Sequence, residues 1–217
     1  MTIYYLDIET TGIDPESDKI ITIQFLPRNI ESYNSLNMPE TFSWGKLTIL
    51  EEWESSEENI VKILHGLLIK KGVWDFIPFG TNLMFEFNFL FKKFKKYNLN
   101  CPEFLDWIYK KPFIDIRSTL LLCNDLSFKN SGLDKFSDKK IDGSQIPEWY
   151  KKKEYNKILD YIEKETDSFK NLVDKCLNEF PKIIKKKDEK KYYCRKCKKE
   201  ISKEEYEALG ICSNCED

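Results

Sequence analysis

Residues 3–10 read IYYLDIET, an apolar, β-prone run that carries two acids, Asp7 and Glu9, at alternate positions. Side chains at i and i+2 of a strand point to one face, so both carboxylates project together. Acids at strand ends often sit in solvent, but here the neighbours are apolar. Two like charges beside a core must be offset by a cation. Paired hard oxygens at the end of a strand suit Mg²⁺ or Mn²⁺. A fold for this chain therefore has to hold residues 3–8 as a buried strand and leave its two acids within reach of a metal.

The remaining punctuation predicts alternating strands and helices. TGIDPESDK is a turn, marked by Gly12 and Pro15. Residues 20–27 (IITIQFLP) and 73–80 (VWDFIPFG) read as strands, and 46–53 as a further one. Ser55 and Ser56 are cap candidates for a helix with apolar residues at 60, 63, 64, 67 and 68. Residues 84–97 read as a helix, 112–124 as a turn and helix, and 125–147 as irregular. A long helix covers 154–179. The class is α/β.

Two later acids stand out. Glu86 sits among Phe85, Phe87, Phe89 and Leu90 in the first turn of its helix. Either a partner holds it inward, or the helix dipole alone explains an acid there. In the long helix, Ile158, Ile162, Phe169, Leu172 and Cys176 form an apolar stripe whose missing member is Glu165. Tyr161 lies four residues earlier on the same face. An inward Glu beside an inward Tyr is a functional pair or a buried Tyr–Glu hydrogen bond.

In this order, DIETTG, then N-x-x-F-acid-x-x-F-L, then Y-x-x-x-acid on a late helix, the motifs resemble the Tyr-bearing branch of the DEDD superfamily of 3′–5′ exonucleases. That branch includes the proofreading domains of family B DNA polymerases and stand-alone proteins similar to them. The Gly143-to-Pro147 turn before a Tyr-rich helix resembles the stand-alone members, and the likeness covers residues 2 to 177. The resemblance implies a ribonuclease H-like mixed sheet flanked by helices. It implies catalytic and metal-binding roles for Asp7, Glu9, Glu86 and Glu165, with Tyr161 positioning the attacking water. Glu86 and Glu165 fall where the family has Asp. Two Mg²⁺ or Mn²⁺ are implied, with single-stranded nucleic acid or 3′ ends as substrate. Asn82 falls on the family's Asn; Thr10, Thr11 and Phe85 are further candidates for substrate contact. Lys92, Lys93, Lys95 and Lys96 either follow phosphates or form a solvated face. His65, the only histidine, suits a surface or core position.

Composition limits the alternatives. The 217 residues are 41% hydrophobic, with 15 Phe, 11 Tyr and 5 Trp, enough for one cored domain and a small appendix. Net charge is −2, so nucleic-acid contact must come from local patches. No run of 18 apolar residues exists, and neither a membrane span nor a signal peptide is expected. Four of the seven cysteines cluster as C-x₂-C-x₁₄-C-x₂-C at Cys194, Cys197, Cys212 and Cys215. This spacing gives tetrahedral thiolate geometry for one structural Zn²⁺ in a module that resembles a zinc ribbon. Scattered thiols and one metal site suit a reducing cytoplasm. The expected organisation is a ribonuclease H-like body at 1–180, a charged linker at 181–191 and the ribbon at 192–217. The ribbon's lysines suit nucleic acid and its glutamates oppose it, so a protein partner is equally open. The alternative to an exonuclease is a weak or inactive exonuclease-like subunit that binds nucleic acid or serves as a scaffold; a third reading is an endonuclease on the same fold.

Overall fold

A computed structural model describes residues 2–33, 39–123, 126–127, 143–185, 192–201, 206–207 and 215. The chain divides into two units, 1–171 and 172–217.

The first unit is built on β1 (Ile3–Thr10). It pairs antiparallel with β2 (Ile20–Tyr33) on one side and parallel with β5 (Ile77–Gly80) on the other. β3 (Pro39–Trp44) and β4 (Thr48–Glu51) both lie antiparallel to β2, and β6 (Ile114–Asp115) lies parallel to β5. The result is a mixed six-stranded sheet. β2 runs well past the end expected at residue 27. Its outer edge pairs with β4 at Thr22–Phe25 and with β3 from Arg28 onward. Pro27 falls in the gap between these partners, where its missing N–H costs no ladder bond.

Helices cover both faces. On one side Leu6, Ile8, Ile20 and Ile23 pack with α1 (Glu57–Leu68) and α2 (Leu83–Lys96) through Ile60, Leu64, Phe87 and Leu90. α3 (Phe104–Lys110), which periodicity did not reveal, adds Trp107 to that core. α4 is Ile116–Cys123. On the other side Ile21 meets Ile146 of α5 (Ile146–Lys151) and Ile158 and Ile162 of α6 (Tyr155–Lys185). Neighbouring Ile20 and Ile21 serve opposite layers, as β alternation requires. The β1–β2 register shifts between Glu9 and Thr10, beside the two acids. α6 is longer than the periodicity of 154–179 predicts. Its last residues, Pro181 to Lys185, fall in the segment expected to be a linker, and lysine is a good helix former. Most of the segment expected to be irregular, 125–147, lies outside the described residues. Among the described residues no helix is long and apolar enough to cross a membrane.

In the second unit, β7 (Tyr192–Tyr193) and β8 (Glu200–Ile201) form a short antiparallel pair. The Cys194 N–H donates to Lys199 O at 2.8 Å and the Lys198 N–H to Cys194 O at 2.9 Å, closing a tight turn with Lys198 at φ 62°.

A buried charge cluster ties the first unit together. Glu57, at the start of α1, accepts from the Ile20 N–H (2.9 Å), the Tyr97 hydroxyl (2.5 Å) and Lys96 Nζ (3.1 Å). Lys93 Nζ lies 3.5 Å away, is 1% exposed and also donates to Asp18 O. Lys92 pairs with Glu16 and Lys95 with Glu103. The four lysines of α2 therefore have acidic partners within the protein. His65 is buried, with Nε2 2.8 Å from Asn100 O and its ring edge-on to Phe94.

Burial opposes ionisation of Glu57, but the Tyr97, Ile20 and Lys96 donors outweigh it and hold its carboxyl below the usual range. A lowered acid pKa stabilises the fold above the unfolded value, and that contribution is lost as pH falls through the folded one. Glu57→Ala should cost about 3 kcal/mol at pH 7, since it strands the Lys93 charge. Urea denaturation should show the gap closing below about pH 4.

Candidate metal centre

β1 places Tyr5, Asp7 and Glu9 on one face, by the period-two rule. Across from that face, α6 presents Tyr161, Glu165 and Phe169 one turn apart, and the Phe169 ring packs tilted against Tyr5 with centroids 4.6 Å apart. This contact aligns the first strand with the late helix. Carboxylate oxygens of Asp7, Glu9 and Glu165, each half-buried, all lie within 4.8 Å of one another. Asp7 is oriented from β2: Gln24 Nε2, fully buried, donates to Asp7 Oδ2 at 2.6 Å. The Thr22 hydroxyl donates to Gln24 Oε1 at 3.2 Å and so fixes which end of the amide faces Asp7.

Glu86 is not part of that set of three. It is buried in the first turn of α2, and its Oε2 has no hydrogen-bond partner. Burial pushes its carboxyl well above the usual range, and the charges of Asp7, Asp115 and Glu165 push the same way. Of the two sequence readings for Glu86, the dipole alone does not suffice, because the side chain is inward and senses the other acids.

Tyr161 is buried and donates its hydroxyl to Glu165, one helical turn on. Burial first, then the charges of Glu165 and Glu9, raise its pKa far above that of a free phenol. The Tyr–Glu hydrogen bond is present, and the same Glu165 faces Asp7 and Glu9. Gly143 lies against this hydroxyl: a Cβ there would stand 2.7 Å from Tyr161 Oη. That contact gives the Gly143-to-Pro147 turn its physical reason, since any side chain at 143 would displace the phenol.

The other expected contacts have protein partners. Thr10 Oγ1 donates to Gly12 O at 2.5 Å, and Thr11 Oγ1 donates to Asp18 Oδ1 at 3.2 Å. The Thr11 N–H donates to Lys19 O at 2.9 Å within the turn. Asn82 takes a left-handed conformation (φ 64°) before α2, and its Oδ1 accepts from Arg117 Nη1 at 2.6 Å. Phe85 is half-buried, its ring centroid 4.9 Å from that of Phe89.

Three residues escaped the sequence reading. Asp115 accepts from the Asn82 and Leu83 N–H groups, both at 2.9 Å, and so caps α2 beside Glu86. Its signal was a lone acid between Ile114 and Ile116. Tyr5 shares the face of the two acids, and its signal was the period-two rule applied one step earlier. Gln24 was a polar residue inside an otherwise apolar run.

The donor set fits hard divalent cations: carboxylate oxygens only, half-buried and crowded, in a unit whose buried Glu86 also has an unsatisfied Oε2. The second unit holds a different set. Sγ atoms of Cys194, Cys197 and Cys215 lie within 4.8 Å of one another, and Lys196 Nζ donates to Cys215 O at 2.7 Å. Thiolates around a tetrahedral Zn²⁺ stand about 3.8 Å apart, so these three fit zinc. Cys212 lies outside the described residues.

Glu86 generates a pH prediction. A raised carboxyl pKa means the metal-free fold binds a proton more readily than the unfolded chain. Stability from this group therefore falls as pH rises above about 4.3. Glu86→Gln should raise the metal-free melting temperature at pH 8 by about 3 °C and leave it unchanged at pH 4. Calorimetry checks this, and a lower melting temperature at pH 8 would contradict it.

No family model matches the sequence, and no curated protein does. Solved structures give matches. E. coli exonuclease I in complex with a dT13 oligonucleotide is 14% identical, with a TM-score of 0.40, covering 57% of this chain and 29% of that one. The zinc-bound E. coli ExoI–ssDNA complex is 14% identical, with a TM-score of 0.41, covering 58% and 30%. A further exonuclease I structure is 13% identical, with a TM-score of 0.41, covering 62% and 34%. The chain thus spans about a third of the length of the exonuclease I chains it is similar to.

Proposed function

We propose that this chain is a divalent-metal-dependent 3′–5′ exonuclease that hydrolyses phosphodiester bonds in single-stranded DNA or RNA. The observation that carries this reading is the convergence of Asp7 and Glu9 from the first strand with Glu165 from the last long helix. In this reading 1–180 is a ribonuclease H-like body, 181–191 a charged linker and 192–217 a zinc ribbon, in a cytoplasmic protein. The ribbon, with Cys194, Cys197, Cys212 and Cys215 on Zn²⁺, serves a protein partner or nucleic acid.

Asp7, Glu9, Glu86 and Glu165 hold two Mg²⁺ or Mn²⁺, which when bound supply Lewis acidity toward the phosphate and the attacking water. Gln24 fixes the Asp7 carboxylate, so this ligand is oriented before substrate arrives. Tyr161 keeps its proton at neutral pH, because its acidity is suppressed by burial and by Glu165. Its hydroxyl, which donates to Glu165, orients the water. Thr10, Thr11, Asn82 and Phe85 are the proposed contacts to the terminal nucleotide. The Thr11 amide and the Asn82 carboxamide already have partners inside the protein.

A second reading, nucleic-acid binding without turnover, is favoured by one observation: Glu86 stands outside the set within 4.8 Å. The assay that decides uses end-labelled single strands, DNA and RNA, with Mn²⁺ or Mg²⁺. We expect stepwise shortening from the 3′ end, an intact circular strand, and a loss on the order of a thousandfold in Asp7→Ala. Binding without shortening would support the second reading. Activity that survives Asp7→Ala would remove the first.

A further inference from the structure

Tyr161 has an aromatic neighbour outside its own helix. The Trp149 ring of α5 meets it at 61°, with centroids 6.4 Å apart. The Tyr161 hydroxyl donates to Glu165, so a single ring separates this indole from the acid cluster. Tyr161 is buried, whereas Trp149 is only half-buried. Its footing is firm. Ile146, one turn earlier, is buried against Ile21 and Ile158. The Tyr150 hydroxyl donates to Glu52 Oε2 at 2.5 Å, and the Trp149 carbonyl accepts from the Glu154 N–H at 2.8 Å. Trp53 has a ring face covered by Tyr155, with centroids 4.4 Å apart and planes 4° from parallel. Among the described residues no ring stacks on Trp149 in that way. A half-exposed aromatic that is held in place and lacks a stacked partner suits a flat ligand. The charge beside it points the same way. Lys151 ends α5, Lys152 and Lys153 follow, and all three are exposed. Lys152 pairs with Glu148 at 2.6 Å. Lys151 and Lys153 form no ion pair among the described residues, unlike the lysines of α2.

We propose that Trp149 stacks on a base of the strand whose end occupies the acid cluster, while Lys151 and Lys153 contact its phosphates. Single-stranded nucleic acid alternates flat π-faces with anionic groups, and an indole beside two unpaired ammonium groups matches both. The lysines alone would be a solvated face; the half-exposed indole next to Tyr161 selects a base. Such a platform grips any sequence, because every base has a π-face. The proposal rests on the reading of the acid cluster as a nucleic-acid site.

Fluorescence anisotropy of the full chain with short 5′-labelled oligo(dT), in Ca²⁺ so that no turnover is needed, tests the proposal. Trp149→Leu keeps an apolar side chain against Tyr161 and removes the π system; it should bind about tenfold more weakly. Trp149→Phe restores an aromatic face and should bind within about threefold of the parent. An abasic residue moved stepwise along the strand should reach one position at which the parent loses about tenfold and Trp149→Leu loses nothing further. Lys151→Gln combined with Lys153→Gln should lower the slope of log K against log salt by about 1.4. No binding by the parent, equal binding by Trp149→Leu, or a loss that no abasic position absorbs would each overturn the proposal. Shortening of strands by a chain whose binding ignores Trp149 would remove this proposal and leave the exonuclease reading. Trp149-dependent binding by a chain that never shortens a strand would support this proposal and remove that reading.

Discussion

Repulsion between carboxylates governs the architecture of the first unit. Three acids whose oxygens lie within 4.8 Å repel one another when ionised. A chain that only had to fold would keep them apart. Here the opposite is built in. β1 sits between β2 and β5, so its backbone is paired on both edges and cannot swing away. The Tyr5–Phe169 contact presses α6 against the same strand and brings Glu165 in. Glu86, buried with an unsatisfied oxygen, adds a further cost. A bound divalent cation would offset these costs, which is why electrostatics, more than any single distance, supports the metal reading.

The body meets this strain with a second cluster of the opposite kind. Glu57 and Lys93 are both buried, yet every oxygen of Glu57 has a donor, and the donors come from β2, α2 and the residue after it. This network joins the strand that holds Gln24 to the helix that holds Glu86. It therefore links the orientation of Asp7 to the placement of α2. Satisfied buried charge rigidifies the frame, and crowded buried acid is placed on it.

Much of this was legible in the sequence, for identifiable reasons. The period-two rule put Asp7 and Glu9 together, and the 3.6-residue stripe identified Glu165 by the apolar residue it replaced. Both are local rules, and the structure obeys them. What failed was non-local. The extension of β2 through Pro27 depends on a change of edge partner that no window of residues reports. The partners of the α2 lysines, Glu16, Glu57 and Glu103, come from distant segments of the chain. Asp115 reads as an ordinary acid until α2 arrives to be capped. Gly143 lay in a recognised turn, but its reason, the Tyr161 hydroxyl, comes from another helix.

The central claim is that Asp7, Glu9 and Glu165 form a divalent-cation site. The most direct test is a crystal of the full chain soaked in MnCl₂, with anomalous scattering recorded at the manganese edge. The account predicts an anomalous peak about 2.0–2.3 Å from oxygens of Asp7, Glu9 and Glu165, reduced or lost in Asp7→Ala. A full-occupancy manganese elsewhere, with these three carboxylates apart from one another and without a cation, would contradict it.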